Sequence, residues 1–122
     1  MPRVVHFEIP SDDPERAVAF FEKAFGWRIS KWDGPVDYWL VSTGEAGAAG
    51  IDGGIAVRGE TNPRVANMID VPNLVEYIEK VEANGGEIVV PKRPVPGVGW
   101  MAYFKDTEGN LHGMMQGDPG AQ

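Results

Sequence analysis

Few side chains in this sequence could take part in chemistry, and two of them lie close together near its start. His6 and Glu8 are two residues apart in an extended run, so on a strand they share one face. An imidazole can act as a general base near neutral pH, and a nearby carboxylate can orient it. We therefore take His6 and Glu8 as candidate catalytic residues. The alternative is that both line a polar cavity or a subunit interface without chemistry.

Aromatic side chains are the second group that could serve a site. The chain has four Trp in 122 residues, and such side chains make good walls for a planar or hydrophobic ligand. We select Trp39 and Trp100 as candidate ligand-binding residues. Packing in the core or at a dimer interface would explain the tryptophans equally well.

Thiol chemistry and phosphate loops are excluded by what the sequence lacks. There is no Cys, which rules out disulfides, Cys-ligated zinc, iron–sulfur clusters and thiol catalysis. The glycine-rich segment 44–54 has no GxxxxGK pattern, so it does not resemble a phosphate-binding loop. We expect this segment to be a mobile loop, either a lid or slack between strands.

The elements that must position these residues follow from periodicity and capping. Val4 to Ile9 alternates as a strand, and Asp13 as N-cap with Pro14 predicts a helix that Gly26 ends. Strands are then predicted at the following segments: 28–32, 38–42 and 55–58.

The same pattern begins again at Arg64. A strand over 64–71 precedes a helix with Asn73 as N-cap, and the remaining strands are predicted at 87–90, 100–105 and 111–116, with 91–99 as a Pro-rich loop. Each half reads strand, helix, strand, strand, strand. An internal duplication is the economical explanation, and convergence of two amphipathic units is the alternative.

Length and charge limit the organisation and the partners. A chain of 122 residues predicts one domain, here 1–122, with module one about 1–60 and module two about 61–118. The net charge of −7 argues against nucleic acid and anionic membranes as partners. No apolar stretch approaches the length of a membrane span or a signal peptide, so we expect a cytoplasmic protein.

Several segments together resemble the vicinal oxygen chelate superfamily, which includes glyoxalase I, extradiol dioxygenases and bleomycin resistance proteins. In the first half they are 6–10, 13–17, 20–21 and 25–27, and in the second half 69–72, 84–86 and the closing segment 103–110. The resemblance implies an α+β fold of two tandem βαβββ modules forming one curved mixed sheet around a cavity, with helices on the outer face. It also implies a homodimer in which a partner often completes the cavity.

Metal-dependent members of that superfamily hold a divalent ion with ligands from four strands. By resemblance His6 stands at the first ligand position, and no carboxylate or His appears around Ile55 at the fourth-strand position. The matching positions in module two are near Ala66 and at Gly113. Asn67 is the nearest residue to Ala66 with any ligand capacity, and we include it as a ligand-binding candidate. Since His112 alternates with Gly113, we expect it to face the helix layer as a structural histidine.

Only one of the four expected metal ligands is present, and this favours a site without a metal. We expect a small-molecule binding protein of the glyoxalase and bleomycin-resistance kind, with an aromatic-lined cavity, a degenerate metal site and no cofactor. His6 would be a metal ligand only if a metal is bound. The alternative is a divalent-metal-dependent lyase, isomerase or dioxygenase that uses His6 as ligand or base.

Overall fold

The computed structural model describes residues 1–122 and contains eight strands and two helices. In chain order they are β1 (Arg3–Ser11), α1 (Pro14–Phe25), β2 (Arg28–Lys31), β3 (Tyr38–Ser42), β4 (Asp52–Val57), β5 (Ala66–Asp70), α2 (Leu74–Ala83), β6 (Glu87–Val95), β7 (Gly99–Lys105) and β8 (Leu111–Gly117). The order confirms the α+β fold with two tandem βαβββ modules. Neither helix has the length and apolarity that a membrane-crossing helix requires.

The chain forms two compact units, one of residues 6–65 and one of residues 1–5 with 66–122. In the first, β1 pairs in parallel with β4, β4 pairs with β3 and β3 with β2, the last two antiparallel. In the second, β5 pairs in parallel with β8, and β8–β7 and β7–β6 are antiparallel. Both modules therefore have the same strand topology.

Helix α1 begins and ends where the sequence indicates. The Asp13 carboxylate accepts a hydrogen bond from the Arg16 N–H at 3.2 Å, which satisfies one of the free donors at the helix start. Gly26 follows the helix with a left-handed φ of 71°, a conformation that glycine adopts at low cost. These two local signals fix the bounds of α1 independently of its packing.

An aromatic cluster lies beside α1. The rings of Phe21 and Trp27 stack with centroids 4.8 Å apart, and Phe7 of β1 lies 5.8 Å from Trp27. Because side chains alternate along a strand, placing Phe7 on this side puts His6 and Glu8 on the opposite face of β1. The fold thus assigns the two predicted catalytic residues to the face away from the cluster.

The second unit has a denser interior. On one face of its sheet, Leu74 of α2 packs with four buried residues, which are Val71, Ala102, Phe104 and Met114. On the other face, buried Met68 packs with Val90, Met101 and Tyr103. Helix α2 is capped as predicted, since the Asn73 side chain accepts from the Glu76 N–H at 3.0 Å.

Two segments predicted as loops are partly strand. β4 begins at Asp52, three residues inside the predicted glycine-rich loop, and its Gly53 and Gly54 are buried. β6 continues through Pro91 and Pro94 to Val95, with shifts in its register against β7. Proline is tolerated there because β6 has no second strand partner within its module, so the missing N–H breaks no ladder.

Candidate functional site

A cavity of about 400 Å³ lies on the first module and is open to solvent. Its size is within the range of small-molecule sites. The residues that line it are His6, Arg28, Ile29, Ser30, Leu40, Val41, Ser42, Asp52 and Gly53. All of them belong to the compact unit of residues 6–65.

Strand pairing places four polar side chains in one row across this cavity. Arg28 of β2 lies opposite Ser42 of β3, and His6 of β1 lies opposite Asp52 of β4. Ser42 and Asp52 are neighbours because Val41 of β3 pairs with Gly53 of β4, and the next position of the antiparallel ladder brings Ser42 beside Asp52. A row across four strands spans three inter-strand spacings, about 14 Å.

His6 is held by Tyr38, which is not among the predicted site residues. Its Nε2 lies 2.7 Å from the hydroxyl oxygen of Tyr38, in a hydrogen bond between β1 and β3. The strand between them supplies Gly54, and a Cβ built on Gly54 would overlap the Tyr38 hydroxyl and ring. The absence of a side chain at Gly54 is therefore what allows Tyr38 to reach His6.

Burial sets the protonation of this pair. It lowers the pKa of His6 below the ordinary value of 6.5, and the nearby Asp52 carboxylate partly offsets that effect. It raises the pKa of the Tyr38 phenol well above its ordinary value, with Glu8 adding to the rise. Near pH 7 the imidazole is thus neutral and the phenol protonated, so one nitrogen of His6 accepts and the other donates.

The two charged residues of the row differ in their surroundings. The Asp52 carboxylate accepts hydrogen bonds at one oxygen from the N–H of Thr43 at 2.9 Å and from its hydroxyl at 3.3 Å. Arg28 is exposed, and its guanidinium makes no ion pair or hydrogen bond with another residue of the chain. The cavity therefore contains the Arg28 guanidinium with free N–H donors and the Asp52 carboxylate with one of its oxygens already hydrogen-bonded within the protein.

The predicted site residues of module one divide between two faces. Glu8 lies opposite Gly54 and shares the face of His6, which agrees with the strand alternation. Trp39 lies on the other face, because it pairs with Ile55, which in turn pairs with Ile9. The Lys31 ammonium lies over the Trp39 ring at 5.4 Å.

That placement changes the expected character of the cavity. No tryptophan lines it, and its walls are polar and aliphatic rather than aromatic. The physical reason is the two-residue period of β3, since Leu40 and Ser42 point into the cavity and Trp39 between Tyr38 and Leu40 must point away. The prediction of an aromatic-lined cavity is therefore wrong for this cavity.

The other two ligand-binding candidates belong to the second unit. Trp100 packs against the cluster beneath α2, donates its indole N–H to Asp118 at 3.0 Å and carries the Lys92 ammonium 4.7 Å above its ring. Asn67 is exposed on β5. Neither lines the cavity at His6, and a contact of either with a ligand stays a prediction.

His112 has the structural placement that the sequence predicted. Its ring stacks on Phe104 of the helix-side cluster, and its Nε2 donates to the Asp106 carboxylate at 2.9 Å. Asp106 also accepts from the backbone N–H groups of Glu108 and Asn110 in the turn before β8. These bonds, that of His112 first, hold the pKa of Asp106 well below its usual range.

The ligand positions that the resemblance implies for a divalent ion are not built for one here. Ala66 is buried and has no donor, and the thioether of Met68 fills the space where a side chain on Gly113 would begin. No group of three or more His, Asp or Glu residues is arranged to hold a metal ion. Only Asp52 of β4 adds a carboxylate beside His6, and these two side chains fall short of a group of three ligands for a divalent ion.

The sequence carries a signal for Tyr38 in the alternation of side chains along β3. Along β3, Trp39 and Val41 form the more apolar alternate set, while Tyr38, Leu40 and Ser42 form the more polar one. The apolar set belongs against the helix, which assigns Tyr38 to the face of His6. Asp52 carried no such signal, because its membership of β4 depends on distant residues.

Comparisons with known proteins agree with this architecture. Residues 3–44 match the family model described as bleomycin resistance protein-like N-terminal. A glyoxylase-like domain-containing protein of Didymella fabae is 34% identical over 110 residues, covering 86% of each chain. The two βαβββ modules are the architecture that the resemblance to the vicinal oxygen chelate superfamily implies. The chain belongs to the glyoxalase- and bleomycin-resistance-like family of that superfamily.

Solved structures share the fold at low sequence identity. A hypothetical protein of Bacillus halodurans superposes with a TM-score of 0.70 at 16% identity, over 99% of this chain and 98% of the other. Methylmalonyl-CoA epimerase of Mycobacterium tuberculosis gives 0.65 at 14%, over 94% and 87%. A glyoxalase/bleomycin resistance protein/dioxygenase superfamily member of Vibrio splendidus gives 0.64 at 17%, over 97% and 100%. At these identities the likeness establishes the fold alone.

Proposed function

We propose that this protein binds a small organic molecule in the cavity of its first module and does so without a metal ion. The observation that carries the proposal is the bond between His6 and Tyr38, since it fixes a neutral imidazole at the wall of an open cavity of about 400 Å³. A preorganised polar group beside aliphatic surface is the usual composition of a ligand site. Leu40 supplies part of that aliphatic surface.

The donor set supports binding without a metal. The implied ligand position Gly113 is packed by Met68, so no carboxylate could stand there without repacking the interior. A hydrogen bond from His6, which Tyr38 holds in place, would fix the orientation of a ligand beside the other polar groups of the cavity. Specificity would come from leaving those groups unpaired when the wrong ligand enters.

A cavity-filling variant tests the proposal. Leu40 is 43% exposed and lines the cavity, whereas Val57 is 50% exposed on the opposite face of β4, so Leu40→Trp and Val57→Trp form a matched pair. A fragment library is screened by ligand-observed NMR against the wild type and both variants. We expect hits that Leu40→Trp weakens about tenfold or more and Val57→Trp leaves unchanged. A screen without hits, or hits insensitive to Leu40→Trp, would refute the proposal.

A second candidate function is an enzyme in which His6 is a general base. The lowered pKa of His6 supports it, because the imidazole is then unprotonated near neutral pH and can accept a proton. Glu8 and Tyr38 would position the imidazole rather than react. An activity that His6→Gln abolishes while the fragment hits still bind would favour this candidate over simple binding.

We also propose a homodimer in the cytoplasm. Phe20 and Phe25 of α1 are 58% and 63% exposed, which supports burial of this surface by a second chain. Size-exclusion chromatography with light scattering tests it. A monomer at all concentrations up to hundreds of micromolar would exclude the dimer.

A further inference from the structure

We infer that the ligand of the first-module cavity is an organic anion, with its carboxylate or phosphate on Arg28 and an uncharged polar group on His6. The inference rests on the proposed binding function and adds the chemical class of the ligand. It follows from how charge is distributed along the polar row that crosses the four strands.

Arg28 is the anchor for the charged group. It is the single cation that lines the cavity, and its guanidinium has no protein partner. Guanidinium groups present paired N–H donors that match a carboxylate or a phosphate. Because Arg28 is on β2, which has only β3 as a strand neighbour in its module, an anion can approach it from the open side of the cavity.

Asp52 does not cancel this preference. It stands two strand spacings from Arg28, about 10 Å, which is close to the screening length at physiological salt. One of its oxygens is already satisfied by Thr43. An anion bound directly to Arg28 therefore experiences the contact with the guanidinium far more strongly than the repulsion from Asp52.

His6 determines the other end of the ligand. Since the imidazole is neutral near pH 7, it offers no charge to a second anionic group and instead exchanges a hydrogen bond with a hydroxyl or carbonyl. The row from Arg28 to His6 spans about 14 Å between backbones, and both side chains shorten the gap. An elongated ligand with one anionic group at one end and one polar uncharged group at the other fits these constraints better than a compact ligand with two anionic groups or a cation.

The test uses a matched set of para-substituted hydroxybiphenyls that carry a carboxylate, a phosphate ester, a carboxamide or an aminomethyl group. Affinities are measured by titration of the labelled protein followed by NMR. We expect the carboxylate or the phosphate to bind at least about tenfold more tightly than the carboxamide, because a hydrogen bond to a charged group is the stronger one. Tighter binding of the carboxylate assigns a carboxylate to the ligand, and tighter binding of the phosphate ester assigns a phosphate.

Arg28→Gln and Arg64→Gln form the matched variants. Both remove one exposed cation, and Arg64 lies outside the cavity. We expect Arg28→Gln to bring the anion-to-carboxamide ratio close to one and Arg64→Gln to leave it unchanged. Equal losses in both variants, tighter binding of the carboxamide or amine, or no binding of any member would overturn the inference. The cavity-filling screen decides the proposed function separately, because its hits need carry no charge.

Discussion

Replacing Gly54 by alanine should break the bond between His6 and Tyr38 without altering either residue. Gly54 has no positive φ, so alanine suits its backbone, and the obstacle is the Tyr38 hydroxyl and ring in the space of the new methyl group. Relieving that overlap means moving Tyr38 away from His6 Nε2. The substitution therefore tests whether the glycine is there to admit the tyrosine.

The expected cost combines three effects. Overpacking at a buried position costs about 1–3 kcal/mol, and loss of the hydrogen bond costs about 1 kcal/mol. Alanine also lowers the conformational entropy of the unfolded chain, which stabilises the folded state by about 0.5–1 kcal/mol and offsets part of this cost. We expect Gly54→Ala to lower the free energy of unfolding by about 1–3 kcal/mol overall.

Urea denaturation followed by tryptophan fluorescence measures this change. Gly44→Ala is the control, because a Cβ on Gly44 meets nothing within 4 Å, so that variant should be neutral or slightly stabilised. In a Tyr38→Leu background the cost of Gly54→Ala should largely disappear, since the overlapping atoms are gone. Wild-type stability of Gly54→Ala, together with unchanged imidazole NMR signals of His6, would refute the reasoning.

Four further predictions concern charge and metal. The pKa of His6, followed by NMR, should lie below 6.5 and fall further in Asp52→Asn, because the carboxylate raises it. Because burial lowers the pKa of His6 in the folded chain, the unfolded chain binds more protons than the folded one once the pH falls below about 6.5. The free energy of unfolding of the wild type relative to His6→Phe should therefore be highest above that pH and decrease below it. A difference that does not change with pH would contradict this. Asp106→Asn should lower the melting temperature at pH 7, because the pKa of Asp106 is depressed in the folded chain. The decrease should become smaller as the pH falls below about 4, where the unfolded chain binds the proton first. An equal decrease at pH 7 and pH 2 would contradict this. Protein purified without chelator should contain no stoichiometric divalent metal, and metal that disappears in His6→Ala would overturn the metal-free site.

The elements of this fold were predictable where the signals are local. The caps at Asp13 and Asn73 and the stop at Gly26 each depend on a few adjacent residues, and the structure has all three where the sequence predicted them. The face of His6 was also predictable, because its apolar neighbours on β1 fix the alternation. Local chemistry was sufficient for both.

The remainder of the site depends on contacts between distant residues. Nothing near Gly53 and Gly54 marks them as strand, since what makes them buried is Phe7 and Tyr38 arriving from other strands. The exclusion of Trp39 from the cavity likewise depends on its pairing with Ile55. Register is a tertiary property, and a single sequence constrains it weakly when two adjacent aromatic residues compete for one face.

The two glycines of β4 also connect the two faces of the first module. A side chain on Gly53 would overlap Phe7, which belongs to the aromatic cluster beside α1, and one on Gly54 would overlap Tyr38 on the cavity face. We therefore expect substitutions that alter the packing beside α1 to displace Gly53 and Gly54 and, through Tyr38, to change the orientation of His6. A library intended to alter ligand choice should vary Arg28 and Leu40 and keep this dipeptide, because changes there would confound altered recognition with altered folding.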